Sequence, residues 1–314
     1  MPFAGAQSTE AARRPASYHC LGASLYIPAT RGDLRELLTG RKHPELRSVV
    51  VCTEDAVHPK SLPTAMANLR QTLPLLRDRG PMRFLRPRDP QVLASVIEMP
   101  GAKHLDGVSL PKLDELNVHD YLAVLEHAPW LAIMPILETD VVFSVDALAR
   151  LRTQFDSVRE RIICVRVGGN DLLQLMGMKR PSWLTAYDTP LRLVIDNMIV
   201  AFRPYRYEVS APVFEHIERA DVLAREVELD VAHGLLAKTA IHPAQVATIE
   251  AAYAVQPDDA ALADAILDPK AAAVFRFKGT MAEPATHARW ALSTRARVSI
   301  YGLRESRAPE AEAS

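Results

Sequence analysis

Cysteine is scarce in this chain of 314 residues: there are three, at positions 20, 52 and 164. The number is odd and no two form a C-x-x-C pair, so neither a disulfide framework nor a thiolate metal site is expected. Long apolar runs are missing too. No stretch of about 18 uncharged apolar residues occurs, which excludes a membrane-spanning helix. The opening MPFAGAQSTEAARRPAS lacks the apolar centre of a secretory signal. Its Arg13 and Arg14 with the single acid Glu10 make a weak transit-peptide pattern, and a frayed tail is the simpler reading. An excess of one charge is also absent: 37 Lys and Arg face 38 Asp and Glu, a net charge of −1. That excludes a generally basic nucleic-acid binder and an acidic, disordered chain. No internal repeat is readable. A cytoplasmic protein with reduced thiols is the expectation.

What is present is a large apolar fraction, 48%, enough for one big domain or two ordinary ones. Short apolar runs at residues 24–28, 48–53, 82–86, 107–110, 131–137, 162–167, 198–202 and 239–242 read as eight strands. Most are continuously apolar rather than alternating, as in strands buried on both faces. They recur about every 31 residues, the unit length of a (β/α)8 barrel. Helical patterns fill the gaps at 59–79, 144–160 (with Ser144 as N-cap), 171–178 and 213–236. An open, doubly wound sheet is the competitor, but it usually carries a Gly-rich turn after its first strand. Here that turn is PATRGD, with one glycine. The expected organisation is a flexible tail at 1–17 and a TIM barrel at 18–243. A C-terminal helical extension or lid at 244–303 and a disordered tail at 304–314 follow.

Barrel active sites lie at the C-terminal strand ends. Five successive strands end there in Glu54-Asp55, Arg86, Lys112, Glu138 and Gly168-Gly169-Asn170-Asp171. Glu138 and Asp171 stand one βα unit apart. Two carboxylates, completed by water and ligand oxygens, suit Mg²⁺. Alternatively Asp171 caps a helix and Glu138 is merely solvated. The planar fork of Arg86 matches a substrate carboxylate, or pairs with Glu54 or Asp55. Lys112 orients a carboxylate, or, if desolvated, forms a Schiff base. Gly168-Gly169 allows close backbone approach to a ligand, or is a plain turn. His242 reads as a structural histidine bonded to backbone, and Cys52 and Cys164 as small core residues.

The ordered segments SLYIPATRGDL, VVVCTEDAV, FLRPRD, SLPKL, ILETD, VRVGGNDL and AKTAIHPAQ resemble the citrate lyase β-subunit family. The wider group is the HpcH/HpaI aldolases and malyl- or citramalyl-CoA lyases. Among these the chain looks closest to the C–C bond lyase-like branch found near tellurium-resistance genes. The resemblance runs from about residue 24 to 245. It implies a Mg²⁺-dependent carbon–carbon lyase in a TIM barrel. A hydroxy acid or its thioester would be cleaved to a 2-oxo acid (pyruvate, oxaloacetate or glyoxylate) and an acyl or aldehyde fragment. It implies metal ligation by Glu138 and Asp171, carboxylate binding by Arg86 beside Gly168, Gly169 and Asn170, and water ordering by Glu54 and Asp55. It also implies a trimer or hexamer, in which an acid from a neighbour's C-terminal region completes the site. Departures are visible. The family's Asp-Leu-Glu-Asp is here Cys52-Thr53-Glu54-Asp55, the Gly before Lys238 is Ala237, and the Met-x-Asp segment is matched by Met281-Ala282-Glu283. Glu283 or a metal-bound hydroxide is then the general base, and a CoA ester is left open. The alternative is a barrel that has lost turnover and serves as a metal- and dicarboxylate-binding or scaffold protein.

Overall fold

The computed structural model describes residues 16–304. The expected tails at 1–17 and 304–314 lie almost wholly outside them. Eight parallel strands alternate with helices in this order: β1 (Ala23–Pro28), α1 (Leu34–Leu38), β2 (Ser48–Cys52), α2 (Leu62–Thr72), β3 (Met82–Arg86), α3 (Pro90–Ile97), β4 (Gly107–Leu110), α4 (Val118–Glu126), β5 (Ala132–Leu137), α5 (Val145–Gln154), β6 (Val165–Val167), α6 (Gly169–Leu175), α7 (Leu191–Phe202), β7 (Val209–Ser210), α8 (Ala220–Ala232) and β8 (Lys238–Ala240). Each strand pairs with its predecessor, and β8 returns to pair with β1. A parallel bridge from Ala211 to Lys238 joins β7 to β8, so the barrel is closed.

Strand alternation sorts the apolar residues into two shells. Leu25, Val49, Val51, Leu85, Val108, Ile133, Leu137 and Val165 face outward into the main core beneath the helices. Val50, Met82, Phe84, Met134 and Cys164 fill the barrel's interior. Such burial stabilises by ~1.5–3 kcal/mol per large aliphatic side chain. Both faces are covered, which is why the strands read as unbroken apolar runs. Cys52 and Cys164 are indeed buried core residues, and burial pushes the Cys164 thiol up to about 11.

The seventh strand is a correction. Residues 198–202 are not a strand but the last turns of α7. Met198, Ala201 and Phe202 are buried while Val200 is exposed, a helical period that five residues are too short to reveal. The true β7 is two residues long, after Tyr207-Glu208. Helix lengths differ as well. The 59–79 pattern yields α2 between two 3-10 turns, the second of which contains Pro74. The 144–160 pattern stops at Gln154, with Ser144 Oγ accepting from Ala147 N–H at 3.2 Å as expected of an N-cap. Only Ala220–Ala232 of the 213–236 pattern is α-helix.

On the outer side of β8 lies a buried ionic network. Lys238 Nζ meets Glu226 at 2.8 Å and Asp230 at 2.9 Å, both on α8. Arg180 Nη1 reaches Glu226 at 2.6 Å, and Tyr187 Oη donates to Asp230 at 2.8 Å. Burial pushes the Asp230 carboxyl up to about 6 against the pull of Lys238.

Beyond β8, α9 (Ala244–Tyr253) packs on α8 and β1. Then α10 (Pro257–Leu267), a hairpin of β9 (Phe275–Phe277) and β10 (Thr280–Ala282), and α11 (Pro284–Tyr301) gather around Ala263, Ile266, Ala282 and Ala291. Helix α11 lies against segments that enter the strands. Ser293 Oγ is 2.9 Å from His19 Nε2, Arg289 pairs with Glu208 at 2.9 Å, and Arg47 donates to Ile300 O. Within one chain the extension therefore covers the N-terminal end of the barrel, opposite the strand ends named above.

Candidate active site: the carboxylate rim

The C-terminal strand ends converge as the sequence order requires. Arg86, at the end of β3, is the hub. Its Nη2 lies 2.6 Å from Glu54, 3.0 Å from Asp55 and 3.1 Å from Glu138. Lys112, just past β4, brings Nζ to 2.5 Å from Glu54, 2.9 Å from Asp55 and 3.8 Å from Asp171. The backbone of Lys112 is left-handed, with φ 49°, a strained conformation for a side chain with a Cβ. That turn aims its N–H at Glu138 Oε1, 2.9 Å away.

Glu138 is held tightly. Oε1 is occupied by Arg86 and the Lys112 N–H, and Oε2 takes no hydrogen bond from the described residues. Gly168 packs directly on it: a Cβ there would overlap Glu138 Cβ and Oε2. Only glycine permits this approach, which is the role Gly168 has in the site. Gly169 is buried at the start of α6, Asn170 is exposed, and Asp171 follows in the first turn.

Four carboxylates, Glu54, Asp55, Glu138 and Asp171, thus share two paired cations, Arg86 and Lys112. The surplus of negative charge weighs on the buried acids. Burial pushes Glu138 up to about 7, with the Asp171 charge adding to it and Arg86 opposing. Burial also raises Glu54. Asp55 is held low: Glu54, Lys112 and Arg86 outweigh its burial. Lys112 is raised by Glu54 and Asp55 despite partial burial, so it stays an ammonium ion. That state opposes Schiff-base formation, which needs the free amine.

Among the described residues no three of His, Cys, Asp and Glu form a ready metal cage. Glu138 and Asp171 would contribute two oxygens, and a hard divalent cation accepts the balance from water and ligand. The open Oε2 of Glu138 and the uncompensated double negative charge fit such an ion. Arg86 Nε is buried without an acceptor, a cost that a bound anion would relieve.

Two cations were missed, one at the rim and one beneath it. Arg88 Nη2 donates to the Glu54 and Val57 carbonyls at 3.1 and 2.5 Å, pinning the loop after β2. Its spacing two after Arg86 was the available signal. Arg166, the cation inside the run VRV, lies in the barrel interior. Glu283 is not brought to the rim by its own chain. It precedes α11, half-buried, and accepts from Thr286 Oγ1 at 3.3 Å. His242 is exposed, with Ala244 N–H donating to its Nδ1 at 3.2 Å, the backbone bond expected of it.

The family model for C–C bond lyases of the TIM-barrel fold matches residues 15–303. No curated protein matches the chain. Among solved structures, CitE from Mycobacterium tuberculosis with magnesium, acetoacetate and coenzyme A is 21% identical, with TM-score 0.65, covering 90% of this chain and 99% of that one. RipC from Yersinia pestis is 18% identical, with TM-score 0.58, covering 77% and 98%. The citrate lyase β subunit from M. tuberculosis with oxaloacetate and magnesium is 19% identical, with TM-score 0.56, covering 75% and 98%. These likenesses establish the shared fold. Among the described residues no helix is long and apolar enough to cross a membrane.

Proposed function

The chain belongs to the C–C bond lyase family of the TIM-barrel fold, and from that premise we propose that it is a Mg²⁺-dependent lyase acting on a hydroxy acid or its thioester. The products would be a 2-oxo acid (pyruvate, oxaloacetate or glyoxylate) and an acyl or aldehyde fragment. The observation that carries this reading is the convergence of four carboxylates on Arg86 and Lys112 at one rim. The magnesium and oxo-acid ligands of the similar structures support it.

In this reading Glu138 and Asp171 hold the metal, which as a Lewis acid would stabilise the charge developing on the 2-oxo acid fragment. Every other task falls to the protein. Arg86, with its Nη2 fixed by three carboxylates, presents its remaining N–H groups to the substrate carboxylate. Glu54 and Asp55 hold Arg86 and Lys112 in place and order water beside the metal. Gly168, Gly169 and Asn170 form the adjoining wall. Cleavage requires a base that takes the hydroxyl proton, assigned to Glu283 of a second copy in a trimer or hexamer, the segment being exposed at Met281.

The test is a panel of hydroxy acids and their CoA esters, with 2-oxo acid trapped as its hydrazone. Release that stops in EDTA and in Asp171→Ala is the expected result. A protein that binds the metal and a dicarboxylate but releases nothing would be the scaffold instead. Activity surviving EDTA, with borohydride trapping on Lys112, would overturn the metal reading.

A further inference from the structure

Beneath the rim, the barrel encloses a cation without an anion. Arg166 is 2% exposed at the centre of β6. Its register partners are Ile136 on β5 and Ser210 on β7. It precedes by two residues the Gly168 that packs on Glu138, a step of about 6.6 Å along a strand. Nη2 donates to Thr239 Oγ1 at 2.7 Å, Nη1 lies 3.5 Å from Met134 Sδ, and the Tyr26 ring centre is 5.5 Å from Cζ. Among the described residues no carboxylate comes within ion-pair distance of it. Beside it, Ser210 Oγ is buried and has no hydrogen-bond partner. Two other deeply buried cations, Arg180 and Lys238, each meet carboxylates.

A guanidinium stays charged, and a buried charge lacking a counterion is costly. The charges of the site give this one a use. With a divalent cation on Glu138 and Asp171, the four rim carboxylates balance that ion, Arg86 and Lys112. Arg88, bonded to carbonyls, stands next to Asp89, an acid that acts on the same side chains as the rim. Arg166 then remains as the positive charge that no acid offsets, and such a charge attracts a dianion about twice as strongly as a monoanion. We propose that Arg166 is a positioning residue that fits the site to a doubly charged acid, a dicarboxylate, in preference to a monocarboxylate. This rests on the metal site of the preceding reading. Arg166 acts through the low-dielectric barrel interior rather than by touching the ligand.

Calorimetric titration tests it, with Mg²⁺ alone, then with oxalate (two charges) and pyruvate (one) in saturating Mg²⁺. Wild type should prefer oxalate. Arg166→Met should weaken pyruvate about 30-fold, as one charge near 8 Å does at an effective dielectric of ~20, and oxalate, with two charges, about 1,000-fold on the same scale. Mg²⁺ alone should bind more tightly, because a like charge has gone. Arg166→Gln, which keeps hydrogen bonding, should behave as Arg166→Met, and Arg166→Lys as wild type. Thr239→Val, which keeps the charge, should leave the oxalate-to-pyruvate ratio unchanged. Equal loss of metal and both acids in the neutral variants would mark a purely structural residue and overturn the proposal. So would unchanged oxalate binding, or a wild type that prefers pyruvate, and these leave the lyase reading standing. A wild type that shows the expected charge preference but cleaves nothing removes the lyase reading and leaves this one.

Discussion

Lys112 grips two carboxylates at once: its backbone N–H donates to Glu138 at 2.9 Å while its ammonium lies 2.5 Å from Glu54. The left-handed turn at Lys112 is what lets one residue do both. The two acids are therefore fixed relative to each other by a single residue, and the rim is organised before any ligand arrives.

Gly168→Ala should disable the site without replacing any charged residue. The new Cβ would overlap Glu138, which cannot retreat because Arg86 and Lys112 hold it. Overpacking of this kind costs about 1–3 kcal/mol. The expected result is a melting temperature lowered by several degrees and Mg²⁺ binding lost by calorimetry. Wild-type Mg²⁺ affinity in this variant would contradict the Glu138 assignment.

Metal affinity should follow the acids individually. Glu138→Gln keeps shape and removes one charge, and Asp171→Ala removes a ligand. Each should weaken Mg²⁺ by at least about 100-fold if both acids are direct ligands. Asp140→Asn, on an exposed residue two further along, should leave it unchanged.

Glu138 makes the metal-free protein sensitive to pH in a defined direction. Its carboxyl is raised from 4.5 to about 7 in the fold, so the folded state binds the extra proton between those values. Stability contributed by the protonated acid is full below about 4.5 and is lost as pH rises through about 7. The loss is on the order of 3 kcal/mol. Saturating Mg²⁺ should reverse the trend, since it binds the ionised form. Denaturant melts from pH 5 to 8, with and without Mg²⁺, check both signs.

Lys238→Met should separate stability from chemistry. It leaves Asp230 without a cation and Glu226 with Arg180 alone, all fully buried, and breaking such a pair costs about 3–5 kcal/mol. The expected variant melts far earlier, yet its folded fraction binds Mg²⁺ and oxalate normally at low temperature. Weakened ligand binding in the folded fraction would place Lys238 in the site.

Much of the barrel was legible because its strands are buried on both faces. Runs such as SVVVC at Ser48–Cys52 carry their assignment in composition alone. The rim acids and Arg86 were legible for a related reason: a charge at the end of an apolar run has one place to go. The true β7 was not legible, since two residues cannot show a period, and the apolar end of α7 offered a better imitation. Arg166 and Lys238 sit inside apolar runs as single charges. Whether such a charge meets an acid, as Lys238 does, or none, as Arg166 does, depends on partners 8 to 73 residues away. Nothing local encodes that.

The shortest strand also has a mechanical consequence. At β7 the ladder is two residues long, and the barrel closes there through one bridge, Ala211 to Lys238. This is the seam of the cylinder, where the fewest backbone hydrogen bonds resist parting. Lys238 belongs to that bridge and to the ionic network on α8, so the network works as a clasp across the seam. Amide exchange should be fastest among the strands at residues 209–211 and should quicken there first when the clasp is cut.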